Sequence, residues 1–394
     1  QQYSSPEIVP MKSAQIDRAK NAILGAFVAD AATMGLHWLY SQPRLLELAP
    51  QTPEFRAPTA SDYAGNVGYF AHEKKTAGEF SHYGEQAWVL LSAMLSNQGQ
   101  YDRHQYQDTF RAHFGYGGAF VGYIDRPTRQ TLDTLYQNEN QQITLAHELE
   151  FSGDDKQRST LLIKILAAAK RYTGKRLIEE ATRMAQALPH PEESLRYSLA
   201  LVSALAATED YPGADDEQLP ALSKLPSLVA RHADNANLMT MVTSAIRVTN
   251  NAPRAVDYGQ VASHTLRDLI LGESVASAID AGLQAGSETT QAHLRAALAE
   301  TGSVLEVTAK YGLNCDVGRG MASLLHNLQS AESFTSAIRQ NILAGGDNCG
   351  RSIMLGAACG AAFGMGGGQG IPRQWIARLA DPERLLREID QLFE

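Results

Sequence analysis

Five side chains that carry chemistry, Asp347, Asn348, Cys349, Arg351 and Ser352, fall within a few positions of one another, just after Gly345-Gly346 and just before the apolar run Ile353 to Phe363. Glycines let a chain turn tightly into a helix, and a carboxylate in its first turn accepts from the free N–H groups there. A cap needs one such side chain. The others must each find a partner if they are buried, and such crowding points to a site. Asp347 is a candidate acid or base, and Asn348, Cys349 and Arg351 are candidates for substrate contact. The guanidinium would clamp a phosphate unless it ties a buried carboxylate instead.

Asp30 is the one charge in the apolar stretch Ala22 to Ala32. A helix apolar on every face is buried, so this carboxylate must be paired, hydrogen-bonded or protonated. His37 follows seven positions on, about two turns along the same face if the helix continues. Either the two point into one cavity, or Asp30 ties a neighbouring helix or loop from inside. In Gly78 to Gln86, Ser81 can cap a helix, and His82 and Glu85 share a face of its first turn. That places a group titrating near neutrality beside a carboxylate, as proton transfer requires, although a surface ion pair has the same spacing.

The elements that must position these groups read as helices. Ser159 to Tyr172, Leu177 to Leu188, Leu195 to Ala206, His264 to Leu271, Gln291 to Leu298 and Phe334 to Leu343 repeat apolar residues at three- and four-residue spacing. Ser159, Ser194 and Ser333 stand at N-cap positions. Strand alternation is nearly absent, so an all-α fold is expected. Glycines at 356, 360 and 364 clear one stripe of the late helix for close approach, with Ala22 to Gly35 as its expected neighbour. Leu48 to Gly78 and Gly115 to Gly122 read as long irregular loops, the kind that carry function. Residues 1–12 read as a flexible leader and 13–394 as one large helical domain.

Net charge is −9, with 20% charged residues and no long basic cluster, which excludes a nucleic-acid footprint. The longest apolar run is too short and glycine-rich to cross a bilayer, so no membrane partner is expected. Three cysteines at no disulfide spacing suit a reducing compartment, and the cytoplasm is the expectation. Nothing specifies an oligomeric state.

Three anchors in this order, Gly25-Ala26 to Asp30-Ala31, a polar cluster before a helix, and Gly345-Gly346-Asp347, resemble the ADP-ribosylglycohydrolase superfamily over Ser13 to Glu394. His37-Trp38-Leu39-Tyr40, His82 to Gln86, Tyr311 to Cys315, and the tail from Asn341 to Ile376 resemble its divergent branch with J-type lens crystallin of jellyfish and selenoprotein J. The resemblance implies a single multi-helix bundle of that family. It also implies a hydrolase of an ADP-ribosyl-type or related N- or O-glycosidic bond, with a small-molecule substrate that is ADP-ribose-like. The alternative is a catalytically silent, crystallin-like binding or structural protein.

Metal-dependent members of the superfamily hold two Mg2+ ions between a Thr-Asp-Asp-Thr and a Gly-Gly-Asp-Thr-Asp-Thr motif. Here His82, Tyr83 and Gly84 replace Thr-Asp-Asp, Cys349 and Gly350 replace the last Asp-Thr, and His37 replaces the family's glutamate. One carboxylate does not hold two magnesium ions. His37, His82, Cys349 and Asp347 would offer nitrogen, sulfur and oxygen donors to a zinc-like ion if they converged, yet no local metal-ligand spacing supports this, and a metal-free site is expected. In that site Glu85 or Asp347 would activate water, His37 or His82 would protonate the leaving group, and Asp30, Tyr83, Asn348, Cys349 and Arg351 would contact substrate.

Overall fold

The computed structural model describes residues 10–172, 174–207 and 211–394, and among them every regular element is a helix, with β-structure confined to isolated bridges. The expected all-α class is what the chain adopts. The first helix, Ser13–Thr33, is buried continuously from Ala22 to Thr33, as its lack of a polar face requires. Its main partner is Asn348–Phe363, the expected neighbour. A Cβ on Gly25 would land on the carbonyl of Gly356, one on Gly356 on the carbonyl of Gly25, and one on Gly360 on the carbonyl of Asn21. The glycine stripe is therefore a backbone-to-backbone contact. The helices Leu225–Arg231, Pro253–Leu271, Val317–Ser330 and Phe334–Ala344 pack around this pair and enclose the main core. Each fully buried Leu, Ile or Phe there contributes about 1.5–3 kcal/mol.

A second apolar cluster stands apart. Leu161 and Ile165 of Asp155–Ala169, Ala181 of Gly174–Gln186, and Tyr197 and Leu201 of Pro191–Ala207 close over Ala146, near the end of the helix Arg126–Glu148. The expected helices are all present, but two of the three expected caps are not. Ser159 and Ser194 lie inside helices, because Asp154 caps the first and Pro191 opens the second. Ser333 does cap, accepting from the Ser336 N–H at 3.1 Å. Leu48 ends the helix Gln42–Leu48, the rest of the stretch to Gly78 is irregular apart from the short turn Ala60–Tyr63, and Gly115 to Gly122 is irregular throughout. Most of the expected leader, residues 1–9, lies outside the described residues. No described helix is long and apolar enough to cross a membrane.

Candidate functional site

The first helix ends at Thr33, and a 3-10 turn, Met34–Leu36, swings the chain out before His37. His37 is thus not two turns along the face of Asp30. Its segment instead threads between two loops: Trp38 N–H donates to Gly346 O at 3.0 Å, Gly346 N–H to Leu39 O at 2.8 Å, Tyr40 N–H to Val67 O at 2.7 Å and Tyr69 N–H to Trp38 O at 3.0 Å. Trp38 is held at φ 59°, a left-handed backbone unusual for so large a residue. Gly346, at φ 63°, lies so close to Leu313 that a Cβ would strike its carbonyl, the acceptor for the Asp347 N–H. This clip brings three distant parts of the chain together.

Asp347 caps Asn348–Phe363, as expected, and does more. Its Oδ1 accepts from Gly350 N–H at 3.1 Å and from His37 Nε2 at 2.9 Å, and its Oδ2 accepts from the Tyr83 hydroxyl at 2.5 Å. With Nε2–H of His37 committed to Asp347, His37 Nδ1 is the acceptor for His72 Nε2 at 2.9 Å. The His82 ring lies 5.5 Å from that of His37 and 6.0 Å from that of His72, centroid to centroid. Its Nε2 is 3.5 Å from Asp125 Oδ2, and neither of its ring nitrogens has a hydrogen-bond partner. Asp125, the cap of Arg126–Glu148, accepts from Thr128 N–H at 2.8 Å and Gln86 Nε2 at 2.7 Å. Trp38 stacks on His37 with centroids 4.1 Å apart, and Tyr123 meets the edges of both Trp38 and His82. Tyr69 completes this aromatic roof and is exposed.

Burial sets the charges. It pushes His37, His72 and His82 down, so the imidazoles are neutral, and their mutual proximity pushes His72 and His82 further. Burial works to raise Asp347 as well, but its donors from His37 and Tyr83 overcome it and keep the carboxylate ionised. For Asp125 burial wins over Thr128 and Gln86, and the carboxyl is raised. Burial, and then Asp347, raise the Cys315 thiol, which stays protonated beside that carboxylate.

The expected site residues therefore divide. His37, His82, Tyr83 and Asp347 converge. Glu85 does not, because its carboxylate turns to His113 Nε2 at 3.0 Å and Lys75 Nζ at 3.8 Å rather than to His82. Asp30 is the inside tie: its carboxylate accepts from the N–H and hydroxyl of Ser81, at 2.8 and 2.5 Å, and so holds the start of the helix His82–Leu95. Burial lifts it to about 7. Arg351 has no hydrogen bond to either carboxylate. It is fully buried, bonding the Asn341 side chain at 2.9 Å and the Gly345 carbonyl, and burial draws it down to about 10. Asn348 bonds the Leu36 and Ile342 carbonyls, at 3.1 and 3.2 Å, and Cys349 is buried near Ser81 and Asp30. Arg351 and Asn348 thereby support the clip. His72 was not anticipated. It is the one histidine in the irregular stretch Leu48 to Gly78, and that placement was the available signal. Asp125 carries no motif of its own.

The sequence profile of ADP-ribosylglycohydrolases matches residues 11–226 and 220–394. The chain belongs to the ADP-ribosylglycohydrolase family. It is 27% identical to crystallin J1A of Tripedalia cystophora over 384 residues, 95% of this chain and 96% of that protein. It is likewise 27% identical to crystallin J1B of the same animal, over 97% of this chain and 98% of that one. A solved structure described as an ADP-ribosylglycohydrolase-related protein complex superposes with a TM-score of 0.62 at 16% identity, over 97% of this chain and 99% of that chain, which shows the fold. The magnesium pair of the superfamily does not fit the residues present. Asp347 gives its oxygens to His37, Tyr83 and Gly350, Asp30 gives its own to Ser81, Asp125 gives its own to Thr128 and Gln86, and beside these carboxylates stand imidazole nitrogens rather than the several free hard oxygens two magnesium ions need.

Proposed function

We propose that this family member hydrolyses an N- or O-glycosidic bond at the anomeric carbon of an ADP-ribosyl-type or related ribosyl substrate. The observation that carries the reading is His82. Both of its nitrogens lack partners although only 1% of the residue is exposed, and a carboxylate lies 3.5 Å away. An interior selected for stability alone has no use for such a group. Water bound alongside His82 and Asp125 gives its proton to Asp125. Its oxygen bonds the anomeric carbon as the bond to the leaving group breaks, and Asp125 passes the proton to the departing nitrogen or oxygen. The raised value of Asp125 suits it to both halves of that transfer. Asp347, through His37, fixes the imidazole cluster, and the roof of Trp38, Tyr69 and Tyr123 offers flat faces for stacking on a base or sugar.

A cavity of about 510 Å³ adjoins this cluster at Cys315 and is also lined by Arg126, Asp215, Asp216, Glu217 and Asp316, and we take it as the side from which substrate approaches. Four carboxylates against one arginine make this mouth acidic. A neutral or cationic glycoside is therefore favoured over one that presents a pyrophosphate there. Three unpaired cysteines suit a reducing compartment, and we place the reaction in the cytoplasm. One observation favours a second reading, a silent binding or structural protein: His37, His82, Tyr83 and Asp347 are each no more than 1% exposed, and the roof must move to admit a substrate. Turnover separates the two. Release of free sugar from a ribosyl glycoside, lost in folded Asp125→Asn, supports the hydrolase. Binding in calorimetric titration without release, or no heat from any ribosyl ligand, supports the silent protein.

A further inference from the structure

One ring nitrogen from each of His37, His72 and His82 lies within 4.8 Å of the other two, and all three residues are buried. Nitrogens bound to one tetrahedral zinc at about 2.0–2.1 Å stand about 3.4 Å from each other. The His37 Nδ1 to His72 Nε2 distance, 2.9 Å, is slightly shorter than this, and the upper bound of 4.8 Å on the set is longer, so ligation requires the rings to turn toward a common centre. A proton shared between His37 and His72 accounts for that pair alone. It leaves His72 Nδ1 and both nitrogens of His82 without a partner.

The surroundings match those of a metal-binding histidine. His37 gives Nε2–H to the Asp347 carboxylate at 2.9 Å, which fixes the tautomer with its lone pair on Nδ1, and carboxylates back metal-binding histidines in this way. Tyr83 and Gly350 hold that carboxylate in turn. The geometry points to a mononuclear site for a zinc-like divalent cation, held by His37, His72 and His82 with a fourth position left to water or substrate. Neutral imidazole selects zinc or cobalt over magnesium or calcium. The donor set differs from the one the sequence suggested. Asp347 supports the ligands from behind, Cys349 lies with Ser81 and Asp30, and His72 supplies the third nitrogen.

An ion here would supply the water-holding that His82 supplies in its absence, but its binding does not depend on the hydrolysis reading. The test therefore reads the ion and not turnover. Chelator-treated, refolded-competent full-length protein is titrated with Co2+ alone and followed by visible absorption, and X-ray absorption of the zinc-loaded wild type counts imidazole ligands. One equivalent with three histidine ligands is expected, with affinity falling at least about 100-fold in His72→Gln and His82→Gln and unchanged in His113→Gln. The ligand count needs only the wild-type protein and stands even if a variant misfolds. Binding of less than one equivalent by the folded wild type, fewer than three imidazoles on the ion, or equal affinity in the folded triad variants would overturn the assignment.

Discussion

Asp30 and Asp347 are both closed off from solvent, yet they titrate on opposite sides of their ordinary value, because Ser81 and the charge of Lys75 do not offset burial at Asp30, whereas His37, Tyr83 and Cys315 outweigh it at Asp347. The Asp30 carboxyl moves from 3.8 to about 7. Between those values the folded chain keeps a proton that the unfolded chain has released, so Asp30 makes stability fall as pH rises through that window, by about 4 kcal/mol at most. Asp30→Asn keeps the shape without the charge, and the urea midpoint of this variant is expected to fall less than that of wild type from pH 4 to pH 7. An unchanged difference would contradict the assignment. The buried imidazoles act with the opposite sign. Their folded values lie below the ordinary 6.5, so the stability they allow is complete above 6.5 and is lost as pH falls below it. His72→Gln is expected to flatten that acid-side loss in the same urea series. Asp347→Asn breaks hydrogen bonds to a buried charge and should cost about 2–3 kcal/mol in the unfolding free energy.

The helices were legible because their information is local. Apolar spacing gave Phe334–Ala344, and the glycines at 356 and 360 gave both the burial of their helix and its partner. Gly356→Ala drives a methyl group into the Gly25 carbonyl and is expected to cost about 1–3 kcal/mol or more. Gly117→Ala, at φ 72° with open space around it, should cost only about 1 kcal/mol of backbone strain. Equal melting temperatures for the two would show that the stripe is not a close contact. Local pattern failed where the answer was tertiary. His82 and Glu85 share a turn in sequence, but Glu85 is claimed by His113 and Lys75, which no spacing rule reports. Arg351 sits in a polar run typical of a ligand site, yet it braces the Gly345 turn. His72 reaches the cluster along an irregular loop whose path is fixed by bonds from Tyr40 and Tyr69 across the clip.

Across the whole molecule the two apolar clusters are unequal, and the smaller one, within Asp155–Ala169, Gly174–Gln186 and Pro191–Ala207, shares few contacts with the helices that hold the site. Its amides are expected to exchange with solvent at least about tenfold faster than those of Ser13–Thr33 and Asn348–Phe363, because a region with little buried apolar surface opens at lower free energy. Uniform protection would mean that a single cooperative unit spans both. The site lies wholly on the larger body, where the first and last parts of the chain meet at the Leu39 bridge to Gly346. Turnover reports most directly on the roles of His82 and Asp125. Wild type, Asp125→Asn and His82→Gln would be incubated with a panel of N- and O-linked ADP-ribosyl and phosphate-free ribosyl glycosides, and free sugar would be measured by chromatography. Release by wild type, reduced about 100-fold or more in both folded variants, is the predicted result. No release from any substrate, or release unaffected by either substitution, would contradict it.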